Sequence, residues 1–111
     1  MQIWFYKHIG NGCYTAAQGY RKELRVKVAP TINTKLELVA HRESDGLWSV
    51  FDIPTGYCVT FGSGTRRAAW DSITPRLLVI TAQLQQREEY RQRCVELAAY
   101  KAARAAENME V

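Results

Sequence analysis

Pro75-Arg76-Leu77-Leu78-Val79-Ile80-Thr81-Ala82-Gln83-Leu84 opens a stretch that runs on through Gln85-Gln86-Arg87-Glu88-Glu89-Tyr90-Arg91-Gln92-Arg93-Cys94-Val95-Glu96-Leu97-Ala98 to Glu107 with no Gly and no second Pro. Its residues are mostly Leu, Gln, Arg, Glu and Ala, all strong helix formers. Thr74 is suited to cap the start and Pro75 to fill the first helical position. The reading is one long C-terminal helix over 75–107. At about 1.5 Å per residue it spans roughly 48 Å. A compact domain of this length is only about 34 Å across, so a straight helix overhangs its own body.

The side-chain pattern says which part docks. Leu77, Ile80 and Leu84 form one apolar stripe. Residues 85–93 are polar on nearly every face, and Glu89 with Arg93 is correctly ordered for an i,i+4 pair. Tyr90, Cys94 and Leu97, flanked by Val95 and Ala98, make a second apolar patch. The helix is therefore expected to pack on the rest of the chain through its first turns. Beyond them it is solvated, broken, or covered by another chain. A homodimer through Tyr90, Cys94, Leu97 and Ala98 is one such cover.

Upstream, residues 1–62 read as an antiparallel sheet. Ile3–Ile9 is almost continuously apolar, and Gly10-Asn11-Gly12 is a tight turn. Cys13–Ala17 reads as a weak second strand, leaving Tyr14 and Tyr20 exposed in a loop-like segment. Leu24, Val26 and Val28 alternate with Arg25 and Lys27, and Pro30 ends that strand. Leu36–Ala40, Leu47–Ile53 and Tyr57–Phe61 follow, separated by Ser44-Asp45-Gly46 and Pro54-Thr55-Gly56. Short turns between consecutive strands favour a meander. Thr65 then caps a short helix over 65–73. The expectation is a single α+β domain, 1–111: an antiparallel β-meander of four to five strands, a short helix, and one long helix packed on the sheet.

Composition narrows the function classes. With 47% hydrophobic residues, including three Trp, six Tyr and three Phe, the chain can fill a core without disulfides. It has no apolar run near the ~20 residues of a membrane span, and the N-terminus lacks the layout of a secretory signal. Cys13, Cys58 and Cys94 form no C-x-x-C and read as small buried hydrophobes in a reducing cytoplasm. The net charge is +4, and residues 1–67 hold nine Lys/Arg against five Asp/Glu while 68–111 hold six of each. That is a mild bias towards acidic partners.

Catalysis finds little support. His8 and His41 sit in strand patterns without metal spacing, and no nucleophile motif is present. Asp52 reads as a cap for the turn at 54–56. The expectation is a non-enzyme with no metal and no cofactor. Gly62-Ser63-Gly64-Thr65-Arg66-Arg67, with Arg76 beside it, is the best candidate for an anion. A partner surface is expected from Tyr14, Tyr20, Arg66, Arg67, Arg76, Arg87, Tyr90 and Arg91, since exposed Tyr beside Arg makes binding hot spots. Nucleic acid is the rival partner, through Arg25, Lys27, Arg66, Arg67 and Arg76.

The segment Trp48-Ser49-Val50-Phe51-Asp52-Ile53-Pro54-Thr55-Gly56, then Gly62, Gly64-Thr65-Arg66 and Ala68-Ala69, resembles the layout of small phage and plasmid proteins of the anti-CRISPR type. The resemblance covers about residues 46–105. It implies a cytoplasmic inhibitor that covers a surface of a Cas protein or complex. Because this chain is basic, it implies no mimicry of DNA.

Overall fold

The computed structural model describes residues 2–73 and 75–109. The expected cap Thr74 and the side chains of Arg76, Asn108 and Met109 lie outside that description. Five antiparallel strands form one sheet in chain order: β1 (Gln2–Gly10), β2 (Cys13–Ala29), β3 (Ile32–Arg42), β4 (Trp48–Asp52) and β5 (Cys58–Ser63). Three helices follow: α1 (Arg66–Asp71), α2 (Pro75–Leu84) and α3 (Glu88–Met109). The α+β meander expected from alternation and turn chemistry is the observed architecture.

Local chemistry explains the turns. Asn11 and Gly12, both at positive φ, make the two-residue link from β1 to β2, as Asn-Gly does in tight hairpins. Thr65 caps α1, its hydroxyl accepting from the Ala68 amide at 3.0 Å. One expectation is corrected: residues 13–17 and 24–28 are a single 17-residue strand, β2. Gln18 to Glu23 carry the ladder between them, pairing first with β1 and then with β3.

The two sheet faces have different contents. Leu36, Leu38 and Ala40 of β3 and Val50 of β4 turn towards the helices and meet Ala69, Ile73 and Ala82. Fully burying one such Leu stabilises the fold by roughly 1.5–3 kcal/mol. On the other face Phe5, Ala17, Val39 and Phe51 form a second cluster. There Phe5 of β1 lies 5.5 Å from Phe51 of β4. Strands sit about 4.8 Å apart, so in a flat sheet β1 and β4 would be roughly 14 Å apart. The sheet therefore coils on itself. The seam is latched where the His8 amide donates to the Gly56 carbonyl at 2.8 Å.

The single helix over 75–107 is the main correction. It breaks at Gln85–Arg87. The amides of Gln85, Gln86 and Arg87 donate to the carbonyls of Ala82, Gln83 and Leu84, the i→i+3 pattern of a tightened last turn. Gln85, Gln86 and Arg87 offer the core no side chain to bury, whereas Tyr90, Leu97 and Tyr100 beyond them can reach the sheet only after a bend. Leu97 is 1% exposed, and the Tyr100 hydroxyl donates to the Tyr14 carbonyl at 3.0 Å. Only the last turns of α3, residues 101–107, are exposed throughout. The body measures 49 × 35 × 26 Å.

Candidate functional site

The bend between α2 and α3 opens a groove against the β4–β5 turn. Its volume is about 210 Å³. Val59 of β5 and Leu77, Ile80 and Leu84 of α2 form its apolar wall, and Arg87, Glu89 and Arg93 stand among its polar lining. Ile80 and Leu84 remain 42% and 40% exposed. β5 borders the groove and is a sheet edge, paired within the sheet to β4 alone. It also carries Phe61, which is 81% exposed.

Asp52 anchors the groove. Its backbone carbonyl accepts from the Gly56 amide at 2.7 Å and its Oδ2 from the Thr55 hydroxyl at 2.8 Å, the capping role read from sequence. Sequence reasoning missed the third partner: the Tyr90 hydroxyl donates to the same Oδ2 at 2.8 Å. Oδ1 is buried with no hydrogen-bond partner. Burial raises the Asp52 carboxyl above the ordinary carboxylate range, opposed by the Thr55 and Tyr90 hydrogen bonds. Burial first, then the adjoining Asp52, also raises the Tyr90 phenol.

Around this anchor α3 rests on aromatic rings. The Arg93 guanidinium lies 4.1 Å from the Tyr57 ring centroid, and Tyr57 stacks on His8 at the same separation. Arg93 also holds Glu89 at 2.6 Å, the i,i+4 pair expected from spacing. Tyr100 packs against Tyr6 and Tyr14. Burial, with Glu96 close by, pushes the Tyr14 phenol up to about 12.

The residues expected at a partner surface scatter. Tyr14 is not exposed: it is 4% accessible, because α3 folds back over it. Tyr20 is half-buried beneath Arg66, whose guanidinium lies 3.8 Å from its ring. The Thr65 hydroxyl accepts from the Ala68 amide and so fills its own cap. Arg67 is exposed and reaches Asp71 at 3.9 Å. Arg87 and Tyr90 do meet at the groove. Arg91 points to solvent beside Glu88 at 4.0 Å. The side chain of Arg76 lies outside the described residues.

The expected dimer patch is also dispersed. Leu97 is buried in its own chain and the Tyr90 hydroxyl is engaged by Asp52, so neither faces outward. Cys94 is half-buried and Ala98 exposed. The cysteines are free, and Cys13 and Cys58 are exposed, contrary to the buried role expected. Cys13 follows a hairpin tip and Cys58 lies on the edge strand, where little packs over them. Among the described residues no three His, Cys, Asp or Glu side chains converge as metal ligands, and no helix is long and apolar enough to cross a membrane. No protein-family model, curated protein or solved structure matches this chain.

Proposed function

We propose that this chain is a non-catalytic protein-binding factor, and that it acts in the cytoplasm as a phage- or plasmid-borne inhibitor by sterically covering a Cas protein or complex. The observation that supports binding is the groove at the α2–α3 bend. An apolar wall of Val59, Leu77, Ile80 and Leu84 lies open beside an unpaired sheet edge and under Arg87 and Arg93. An edge strand offers backbone groups to an added strand, and adjacent pockets take its alternate side chains. The fitting occupant is an extended partner segment that brings apolar residues to the wall and an acidic residue to the arginines. A non-catalytic role is supported by how the titratable groups are used. Asp52 holds structure, and the His41 ring is bonded to the Gln18 carbonyl oxygen at 2.7 Å.

The test mixes the purified protein with a type I surveillance complex and follows both co-elution and target-DNA binding. Stoichiometric co-elution and lost DNA binding are expected. The variant Ile80→Gln with Leu84→Gln should weaken inhibition about tenfold or more, as loss of two central apolar contacts does. Separate elution with undiminished DNA binding ends the inhibitor reading.

A further inference from the structure

We infer a second binding surface, for single-stranded nucleic acid, at the Trp4 end of the sheet. Trp4 on β1 is 69% exposed, an unusual position for an indole in a folded domain. Open clefts border it on two sides. One, of about 310 Å³, is lined by Gln2, Gln18, Tyr20, Arg42 and Trp48. The other, of about 350 Å³, is lined by Tyr6, Ala16, Ile53 and Lys101. No carboxylate lines either cleft.

The charge arrangement selects the ligand. On the opposite sheet face carboxylates stand among the cations: Arg21, Arg25 and Lys35 share Glu23 and Glu37, Lys7 pairs with Glu43, and Lys27 has no ion pair among the described residues. At the Trp4 end Arg42, Arg66, Lys22 and Lys101 make no ion pair among the described residues. Three of them sit over rings: Arg66 over Tyr20 and Trp48, Lys22 over Trp70, Lys101 over Tyr6. Unpaired cations beside an exposed indole and open clefts match a chain of bases and phosphates. Bases stack on aromatic faces while Arg and Lys meet the backbone. The Gln2 and Gln18 amides can both donate and accept at a base edge. A duplex keeps its bases stacked inside and cannot enter such clefts.

Fluorescence anisotropy tests this with labelled oligo-dT and oligo-U of about 15 nucleotides, a duplex of equal length, and polyglutamate as competitor, in about 50 mM salt. Single strands should bind in preference to duplex, and oligo-dT against oligo-U tells DNA from RNA. Trp4→Ala should weaken binding about tenfold, with Trp4→Phe retaining most of it. Arg66→Gln should lower the salt slope by about one. Lys35→Gln, on the opposite face, should change neither. Circular dichroism confirms that each variant is folded. Absent binding, duplex binding of equal strength, displacement by polyglutamate as effective as by unlabelled oligonucleotide, or indifference to Trp4→Ala overturns the inference. The groove variant Ile80→Gln with Leu84→Gln leaves this surface intact, so the two readings fail separately.

Discussion

The Tyr90 hydroxyl donates a 2.8 Å hydrogen bond to Oδ2 of Asp52, tying the first turn of α3 to the end of β4. Both residues line the groove, so the bond joins two of its walls. Tyr90→Phe removes the donor and leaves Oδ2 of Asp52 with the Thr55 hydroxyl alone. A loss of about 1–2 kcal/mol is expected, read as a fall in melting temperature of several degrees. An unchanged melting temperature would mean that α3 is held elsewhere.

Asp52 also predicts a pH dependence. Its folded-state affinity for a proton is raised, chiefly by burial. The stability it contributes is therefore fully present below the ordinary carboxylate range and is lost as pH rises through the raised folded value. The useful quantity is the difference between a variant and the parent. Asp52→Asn should gain stability relative to the parent as pH climbs from about 3 to 7. A difference that stays flat across that range, measured by urea denaturation, contradicts a strained buried carboxyl.

Leu97 distinguishes a docked α3 from a free rod. At 1% exposure it fills space in its own chain, and Leu97→Ala should cost about 2–5 kcal/mol. Val95, 68% exposed on the same helix, should tolerate Ala with a change within about 0.5 kcal/mol. Equal, small effects at both positions would place α3 away from the sheet.

Much of the fold was legible because its strands alternate with period two and its turns carry residues of known chemistry. Thr65, Asn11-Gly12 and Asp52 each did locally what their types favour. The break after Leu84 was not legible: Gln85, Gln86 and Arg87 are good helix formers, and only tertiary contacts of Tyr90 and Leu97 repay the bend. Tyr14 was misplaced for the same reason. Its neighbours Thr15 to Gly19 look like a poor strand, and nothing local reveals that α3 returns to cover it. The groove inherits both errors, since it exists only where the bend meets the β4–β5 turn. Arg87 and Tyr90 of its lining were nevertheless picked out from the sequence, while Arg93 and Tyr57 were not.

The coil of the sheet predicts a strain-sensitive glycine. Gly56 sits at φ +73, and a Cβ there would lie 2.6 Å from the Tyr6 carbonyl oxygen. Backbone cannot yield as a side chain can, and positive φ adds its own penalty. Gly56→Ala should cost more than about 2 kcal/mol. A neutral substitution, by urea denaturation, would mean that β1 does not press on the turn.

Amide hydrogen exchange across residues 75–107 tests the bent, docked arrangement most directly. Strong protection in α2 and again in α3 up to Tyr100 is expected, with fast exchange at Glu88 and Glu89 between them and in the overhang beyond. Unbroken protection from Leu78 to Ala98, or no protection after Leu84, contradicts it.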